Sequence, residues 1–161
     1  MTGTKKFITG EFSRTVDDRY RLTLPGEFED VFKPESGKCV IVKESPGCLS
    51  LWEENAWKQN HEARVGLVLQ RLQLGDLNRQ TTELQRFGRL LSARFREIQL
   101  AGRSRLVLPE GFREFLGIEP GQDVMVIGAA VCIEIWHTKK WIEYVEGEMP
   151  QFGTVLEGLS H

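Results

Sequence analysis

Hydrophobic and polar residues near the start of this chain alternate in the short pattern that is typical of β-strands. Two alternating segments come first, with the polar turn 17–20 between them, and their apolar positions are Phe12 and Val16, then Leu22 and Leu24. After Pro25 the spacing changes to that of a short helix, with apolar residues at Phe28, Val31 and Phe32. Two apolar strands are predicted next, at Cys39–Val42 and Cys48–Trp52.

The same pattern returns with a constant offset of 84 residues, so that the segment 21–25 (RLTLP) recurs at 105–109 (RLVLP). Other residues recur in the same register, including two tryptophans five apart in each copy: Phe28 and Phe112, Gly37 and Gly121, Val40 and Val124, Cys48 and Cys132, Trp52 and Trp136, Trp57 and Trp141. This agreement indicates an internal duplication. A unit of about 45 residues is too small to bury a good core alone. We therefore expect an α+β protein in which both copies interleave into one pseudo-symmetric, β-barrel-like body, with the tryptophans as core or interface anchors.

Between the copies, the spacing of apolar residues predicts a helical hairpin. The first helix is expected from Glu54 to Leu74, a break at Gly75-Asp76, and a second helix capped by Asp76 or Asn78. This hairpin has more apolar surface than one small body needs, so we expect it to pack against a neighbouring subunit. The predicted division is a first repeat at 7–57, the insert at 58–95, a second repeat at 96–146 and a tail at 147–161.

Charge is distributed unevenly although the net charge is only −2. Residues 1–60 carry a net charge of −1, residues 61–105 carry +5 from nine arginines, and residues 106–161 carry −6. A basic middle beside an acidic end makes a phosphate-binding face possible, although a charge run of this kind also suits a solvated helix face.

Composition limits the class of protein further. Hydrophobic residues make up 40% of the chain and charged residues 27%, as in ordinary globular proteins. No apolar run approaches the length of about 20 residues that spans a bilayer, and the first residues lack a signal-peptide core, so an unexported cytoplasmic protein is expected. The three cysteines, Cys39, Cys48 and Cys132, lack disulfide or zinc-ligand spacing and are expected to be buried. No cofactor is predicted.

Several segments resemble the MraZ family over nearly the whole chain, from about residue 7 to residue 146. They are Phe7–Phe12, the stretch from Val16 to Pro25, Gly47–Trp52, the Arg-rich helix before Leu90-Leu91, Val126–Gly128 and Glu134–Trp136. The resemblance implies two AbrB-like swapped-hairpin units per chain and a ring-shaped homo-oligomer. It also implies a nucleoid-associated, DNA-binding transcriptional regulator of the division and cell-wall gene cluster, which binds promoter repeats on double-stranded DNA.

The family's DNA-contact signature, Asp-x-x-Gly-Arg, maps onto residues 17–21 and 101–105. Tyr20 replaces the glycine in the first copy, and the second copy has Ala101 and Ser104 in place of the aspartate and the glycine. If the glycine position has a positive φ, tyrosine there costs roughly 1 kcal/mol or more. The resemblance implies that Asp17 orients Arg21, a role that Ala101 cannot fill for Arg105.

The candidate DNA-binding residues follow from this mapping. Arginine can make two hydrogen bonds to guanine in a major groove, and basic neighbours bind phosphates. We expect base-edge or phosphate contacts from Arg21 and Arg19, auxiliary phosphate contacts from Arg14, Lys5 and Lys6, and a second pair from Arg103 and Arg105. The alternative for Arg21 and Arg105 is a structural salt bridge.

Three other functions remain open at this point. The altered signatures are compatible with a ring-forming scaffold or binding module that has lost the family's operator. A Cys/His pair such as Cys48 or Cys132 with His137 is the only arrangement that suggests catalysis, but it lacks a third orienting group, so no enzyme activity is predicted. An antitoxin-like role is disfavoured because the tail 149–161 is short and weakly charged.

Overall fold

A computed structural model of the chain describes residues 7–32, 37–72, 77–102 and 104–161. The first repeat forms β1 (Glu11–Thr15), β2 (Arg21–Thr23), a 3₁₀ helix (Gly26–Val31), β3 (Lys38–Ser45) and β4 (Cys48–Glu53). The helices α1 (Glu54–Leu72) and α2 (Leu77–Arg94) follow. The second repeat forms β5 (Phe95–Gln99), β6 (Arg105–Val107), α3 (Phe112–Leu116), β7 (Asp123–Gly128) and β8 (Ile133–His137). Two further helices, α4 (Thr138–Glu148) and α5 (Phe152–Ser160), flank a 3₁₀ turn at Met149–Gln151. Both repeats have the same order of elements, as the duplication predicts.

The strands of the two repeats are interleaved in one antiparallel sheet. Its order is β1-β7-β8-β4-β3-β5, and the short strands β2 and β6 pair separately as a two-stranded ribbon. The first strand of each repeat thus pairs with the third strand of the other, β1 with β7 and β5 with β3. In the centre, Ser50 of β4 lies opposite Glu134 of β8. These two residues are equivalent in the repeat, so the pair marks a pseudo-twofold axis through the sheet.

The body is an α+β fold, but it differs from the barrel-like shape that we expected. Among the described residues the six long strands form an open sheet whose edges are β1 and β5. The strands β2 and β6 have three residues each and pair with one another, so they do not bridge the two edges. The ribbon instead covers one face of the sheet.

One hydrophobic core lies between the ribbon and the sheet and contains side chains of both repeats. Leu22 and Leu106 of the ribbon pack in a single cluster with Leu49 and Ile133 of the sheet and with the equivalent phenylalanines Phe28 and Phe112. These six residues are at most 2% exposed. Because side chains alternate across a strand, Val40 and Val42 of β3 face the opposite side, where they pack with Trp57 of α1.

The helices that follow Pro25 and Pro109 differ in type. In the second repeat the Glu114 carboxylate accepts a hydrogen bond from the Gly111 N–H, and Gly117 ends α3 in the left-handed conformation with φ 78°. The segment after Pro25 forms a 3₁₀ helix, and no described side chain caps its start. A capped start and a glycine end favour the α-helix in the second repeat.

The helical hairpin between the repeats is present, and both tryptophan pairs recur in space. Trp52 and Trp57 have ring centroids 6.1 Å apart, and Trp136 and Trp141 have centroids 5.3 Å apart. The predicted break at Gly75-Asp76 lies outside the described residues. No described helix has the length and apolar character that crossing a membrane requires.

Candidate nucleic-acid interface

The ribbon β2–β6 presents both repeated arginines on one exposed face. Its register places Arg21 opposite Val107, Leu22 opposite Leu106, and Thr23 opposite Arg105. The two leucines are buried, so alternation turns the other four side chains outward, and all four residues are exposed. Arg21 and Arg105 are diagonal neighbours, a relation that separates strand residues by about 7–8 Å. Both arginines thus lie on the same exposed face of one two-stranded element.

Asp17 organises the loop before Arg21. Its Oδ1 accepts hydrogen bonds from the N–H groups of Arg19 at 2.9 Å and Arg21 at 2.8 Å. Its Oδ2 accepts a third from Nε of Arg21 at 2.6 Å. The backbone N–H of Arg21, together with its guanidinium, lowers the pKa of the Asp17 carboxyl. The Arg21 side chain is 46% exposed, so this ion pair orients a guanidinium whose outer nitrogens still face solvent.

Tyr20 occupies the glycine position of the loop with a φ of 58°. A tyrosine in this left-handed region is strained by roughly 1–2 kcal/mol. Three contacts offset the strain. The Tyr20 carbonyl accepts a hydrogen bond from the Leu108 N–H at 3.0 Å, the ring packs against the core, and the Arg113 guanidinium lies 4.1 Å from the ring centroid. The loop therefore keeps its form without glycine.

In the equivalent loop of the second repeat, the described residues make backbone contacts. Ala101 and Arg105 exchange two hydrogen bonds, N–H to carbonyl, at 2.9 Å and 3.0 Å, and Gly102 supplies a φ of 63°. The Ser104 carbonyl accepts from the Leu24 N–H at 2.7 Å, which mirrors the contact between Tyr20 and Leu108. In the described part of the chain, the exposed guanidinium of Arg105 has no acidic partner. The two arginines therefore differ: the Asp17 carboxylate orients Arg21, whereas no described carboxylate orients Arg105.

The remaining predicted residues lie in different settings. Arg19 is exposed in the same loop as Arg21. Arg14 lies on the edge strand β1, where its guanidinium donates to the Ser13 carbonyl at 2.8 Å and lies 5.6 Å from the Phe12 ring centroid. Lys5, Lys6 and Arg103 lie outside the described residues.

Sequence reasoning missed three residues at this surface. Thr23 and Val107 share the outer face of the ribbon, and Val107 is 53% exposed. The alternation of RLT and RLV, with leucine inward, was the signal for both. Arg113, which stacks on Tyr20, lies on α3 far along the chain and left no local signal.

The cysteines are all buried and unlinked. Burial raises the pKa of Cys39 and of Cys132 to about 12, and raises that of Cys48 as well. Because the thiolate is the nucleophilic form, this environment disfavours a catalytic role for Cys48 or Cys132. The described residues contain no cluster of side chains suited to a metal ion.

The fold and this surface define a class: duplicated α+β proteins whose two halves jointly build one exposed, arginine-bearing ribbon. Residues 95–154 match the family described as "MraZ protein, putative antitoxin-like". A "Transcriptional regulator MraZ" of Syntrophomonas wolfei is 29% identical over 93% of this chain and 94% of its own length. Another, of Thermus thermophilus, is 28% identical over 93% and 96%, and one of Moorella thermoacetica is 27% identical over 92% and 93%. These matches support the resemblance to the MraZ family that the sequence motifs indicated.

Proposed function

We propose that this protein is a sequence-specific DNA-binding transcriptional regulator that acts in the cytoplasm, at the nucleoid. The observation that carries the proposal is the common exposed face of Arg21 and Arg105 on the ribbon β2–β6. Relatives that align with nearly the whole chain are named transcriptional regulators. The resemblance also supports the division and cell-wall gene cluster as the target.

The mechanism that we propose is direct readout by the ribbon. The major groove of B-DNA is about 12 Å wide and admits a two-stranded β-ribbon. Arg21, oriented by Asp17, is suited to two hydrogen bonds with O6 and N7 of one guanine. Arg105 and Arg19 lack that restraint on their side chains and are suited to phosphates, which set the position of the protein on DNA.

Affinity in this proposal comes from assembly. One ribbon offers few cations, and Asp17 neutralises part of their charge, so a single chain binds weakly. Several ribbons on one homo-oligomer, which we propose to be a ring, would bind repeated promoter elements with a high effective concentration. The reciprocal pairing of β1 with β7 and of β5 with β3 supports two AbrB-like swapped-hairpin units at 7–57 and 96–146, joined by the insert 58–95 and followed by the tail 147–161.

A binding assay at two salt concentrations tests the proposal. The full chain is titrated onto the DNA upstream of the division and cell-wall cluster and onto a shuffled duplex, with Arg21→Ala, Arg105→Ala and the control Arg86→Ala on α2. We expect selective, salt-sensitive binding that Arg21→Ala abolishes, a weaker loss of affinity for both DNAs with Arg105→Ala, and no change with Arg86→Ala. Absence of binding at micromolar protein would instead favour a scaffold that has lost the operator.

A further inference from the structure

The last helix, α5, carries an apolar face that no described part of its own chain covers. Every residue from 146 to 161 is exposed. The apolar residues of α5 recur at the spacing of one helix face, and their exposed fractions are large: Phe152 61%, Val155 50%, Leu156 55% and Leu159 84%. A short helix with such a stripe is stable only when the stripe is buried against another surface.

An apolar groove of matching character runs between α1 and α2. It has a volume of about 600 Å³ and is lined by Trp57, Val68, Phe87 and Leu91, with Leu67 and Leu90 as exposed apolar residues at its mouth. Within the described residues, none of the apolar residues of α5 enters this groove. Among the described residues, the apolar face of α5 and the apolar groove between α1 and α2 are therefore both left uncovered.

The two surfaces leave the sheet at opposite ends. The strands β4 and β8 are antiparallel neighbours, with Cys48 opposite Trp136 and Leu51 opposite Ile133. The helix α1 starts directly after β4, and α4, which leads to α5, starts directly after β8. The helix that forms one wall of the groove and the helix that leads to α5 thus begin at opposite ends of the same strand pair. This arrangement suits contact between two chains placed head to tail.

Charge makes the two surfaces complementary. Arg64, Arg71 and Arg94 line the groove. The approach to α5 and the helix itself carry Glu146, Glu148 and Glu157, all exposed. A second copy of this chain therefore offers the groove both the apolar stripe and the opposite charge.

We propose that α5 of one copy lies with its apolar face in the α1–α2 groove of the next copy. The inference rests on the proposed homo-oligomer and names the surfaces that form it. Such an interface is heterologous, because each chain contributes α5 on one side and the groove on the other. It builds a ring when the rotation between neighbouring chains closes, which is the assembly that we propose. The ribbon β2–β6 lies on the other face of the sheet from Trp57 and α1, so docking leaves the DNA-binding face open.

The oligomeric mass of the full chain, measured by light scattering after gel filtration, tests this proposal. Leu159→Glu alters α5 and Leu90→Glu alters the groove mouth, and both positions are exposed, so the variants keep a folded monomer, which circular dichroism checks. We expect each variant alone to be monomeric. The matched controls Thr154→Glu, opposite the stripe, and Gln85→Glu, away from the groove, add the same charge and keep the parent mass.

A mixture of the two variants tests directly whether α5 of one chain binds the groove of another. The Leu159→Glu chain retains its groove and the Leu90→Glu chain retains α5, so an equimolar mixture should form 1:1 dimers and nothing larger. A reduced mass for Leu159→Glu with an unchanged mass for Leu90→Glu would show that α5 pairs with itself. An unchanged mass for both variants, or a monomeric parent chain, would also overturn the proposal.

DNA binding separates this inference from the proposed function. If docking is right, the monomeric variants lose the tight binding to repeated elements but keep weak binding to a single element that depends on Arg21. If the parent chain binds promoter DNA and the variants change neither mass nor binding, the proposed regulator stands and the docking surface is wrong. If an assembly responds to both variants but no chain binds DNA, docking stands and the regulator is wrong.

Discussion

Asp17 binds Arg21 at two points, accepting a hydrogen bond from its backbone N–H at 2.8 Å and another from its Nε at 2.6 Å. One carboxylate therefore fixes both the loop that precedes the ribbon and the direction of the guanidinium that leaves it. The equivalent pair in the second repeat, Ala101 and Arg105, retains only the contacts between backbones. The duplication thus preserved the position of the second arginine and lost the group that would orient it.

Asp17→Asn is expected to reduce selectivity more than affinity. The amide oxygen still accepts a backbone N–H, but the ion pair that orients Arg21 is lost while its positive charge remains. We expect the preference for promoter DNA over a shuffled duplex to fall by about tenfold, within the range of about 1–3 kcal/mol for one bidentate base contact. Fluorescence anisotropy with both duplexes measures this ratio.

The salt dependence separates this effect from a simple loss of charge. Asp17→Asn removes no cation, so its plot of log affinity against log salt should keep at least the slope of the parent chain, whereas Arg105→Ala, which removes a proposed phosphate contact, should lose about one unit for each ribbon bound to DNA. An equal loss of affinity for both duplexes with Asp17→Asn would show that Asp17 does not orient Arg21 for base contact.

Tyr20 and Arg113 are expected to stabilise each other. The guanidinium lies 4.1 Å from the ring centroid, and both residues are half-buried, so this cation–π contact should be worth at least the value of about 0.5–1 kcal/mol that holds at exposed sites. Arg113→Ala should lower the free energy of unfolding in the parent chain and lower it less in a Tyr20→Gly chain. A double-mutant cycle by urea unfolding measures the difference as a coupling energy of at least about 0.5–1 kcal/mol. A coupling of zero would mean that the strained Tyr20 is held by its backbone and core contacts alone.

The repeat and its apolar periodicity were enough to predict most of the body. Alternation indicated that Leu22 and Leu106 point inward, and the recurrence of the pattern after Pro109 predicted the helix α3. The pairing of β2 with β6 was not accessible, because a three-residue strand contains no signal for its partner. Without that pairing, Arg21 and Arg105 could be predicted as two sites but not as one face.

The helix α5 was missed for a different reason. Pro150, Gly153 and Gly158 disfavour a helix by intrinsic propensity, so 147–161 read as a tail. The spacing of Phe152, Val155, Leu156 and Leu159 was the contrary signal. The contact between Asp17 and Arg21, by comparison, was expected from the family resemblance, and the structure contains it.

Glu134 is expected to make stability depend on pH. Burial is the main cause that raises the pKa of its carboxyl, and the nearby Glu44 adds to it, against the hydrogen bond from Trp136. A pKa that is higher in the folded than in the unfolded state contributes stability below the unfolded value, near 4.5, and loses it as pH rises through the folded value. Glu134→Gln, which keeps an acceptor for the Trp136 N–H, should therefore stabilise the chain at pH 7 and have little effect at pH 4. Urea unfolding at both pH values measures this, and a variant that is less stable at pH 7 would contradict it.

Phe28 and Phe112 occupy equivalent positions in one shared core, and each is 2% exposed. Phe28→Ala and Phe112→Ala should each lower the free energy of unfolding by about 3–5 kcal/mol, the usual cost of emptying a buried phenylalanine site. Because the strands of both repeats interleave around that core, each variant should still unfold in a single transition rather than release one repeat first. Circular dichroism and tryptophan fluorescence, followed through the same urea titration, should give coincident curves.

Phe7→Ala, at a position that is 77% exposed, is the matched control and should change stability by less than about 0.5 kcal/mol. Two separate transitions in either core variant would show that the repeats are stable independently. With a shared core, unfolding of one repeat would disrupt the packing of the other.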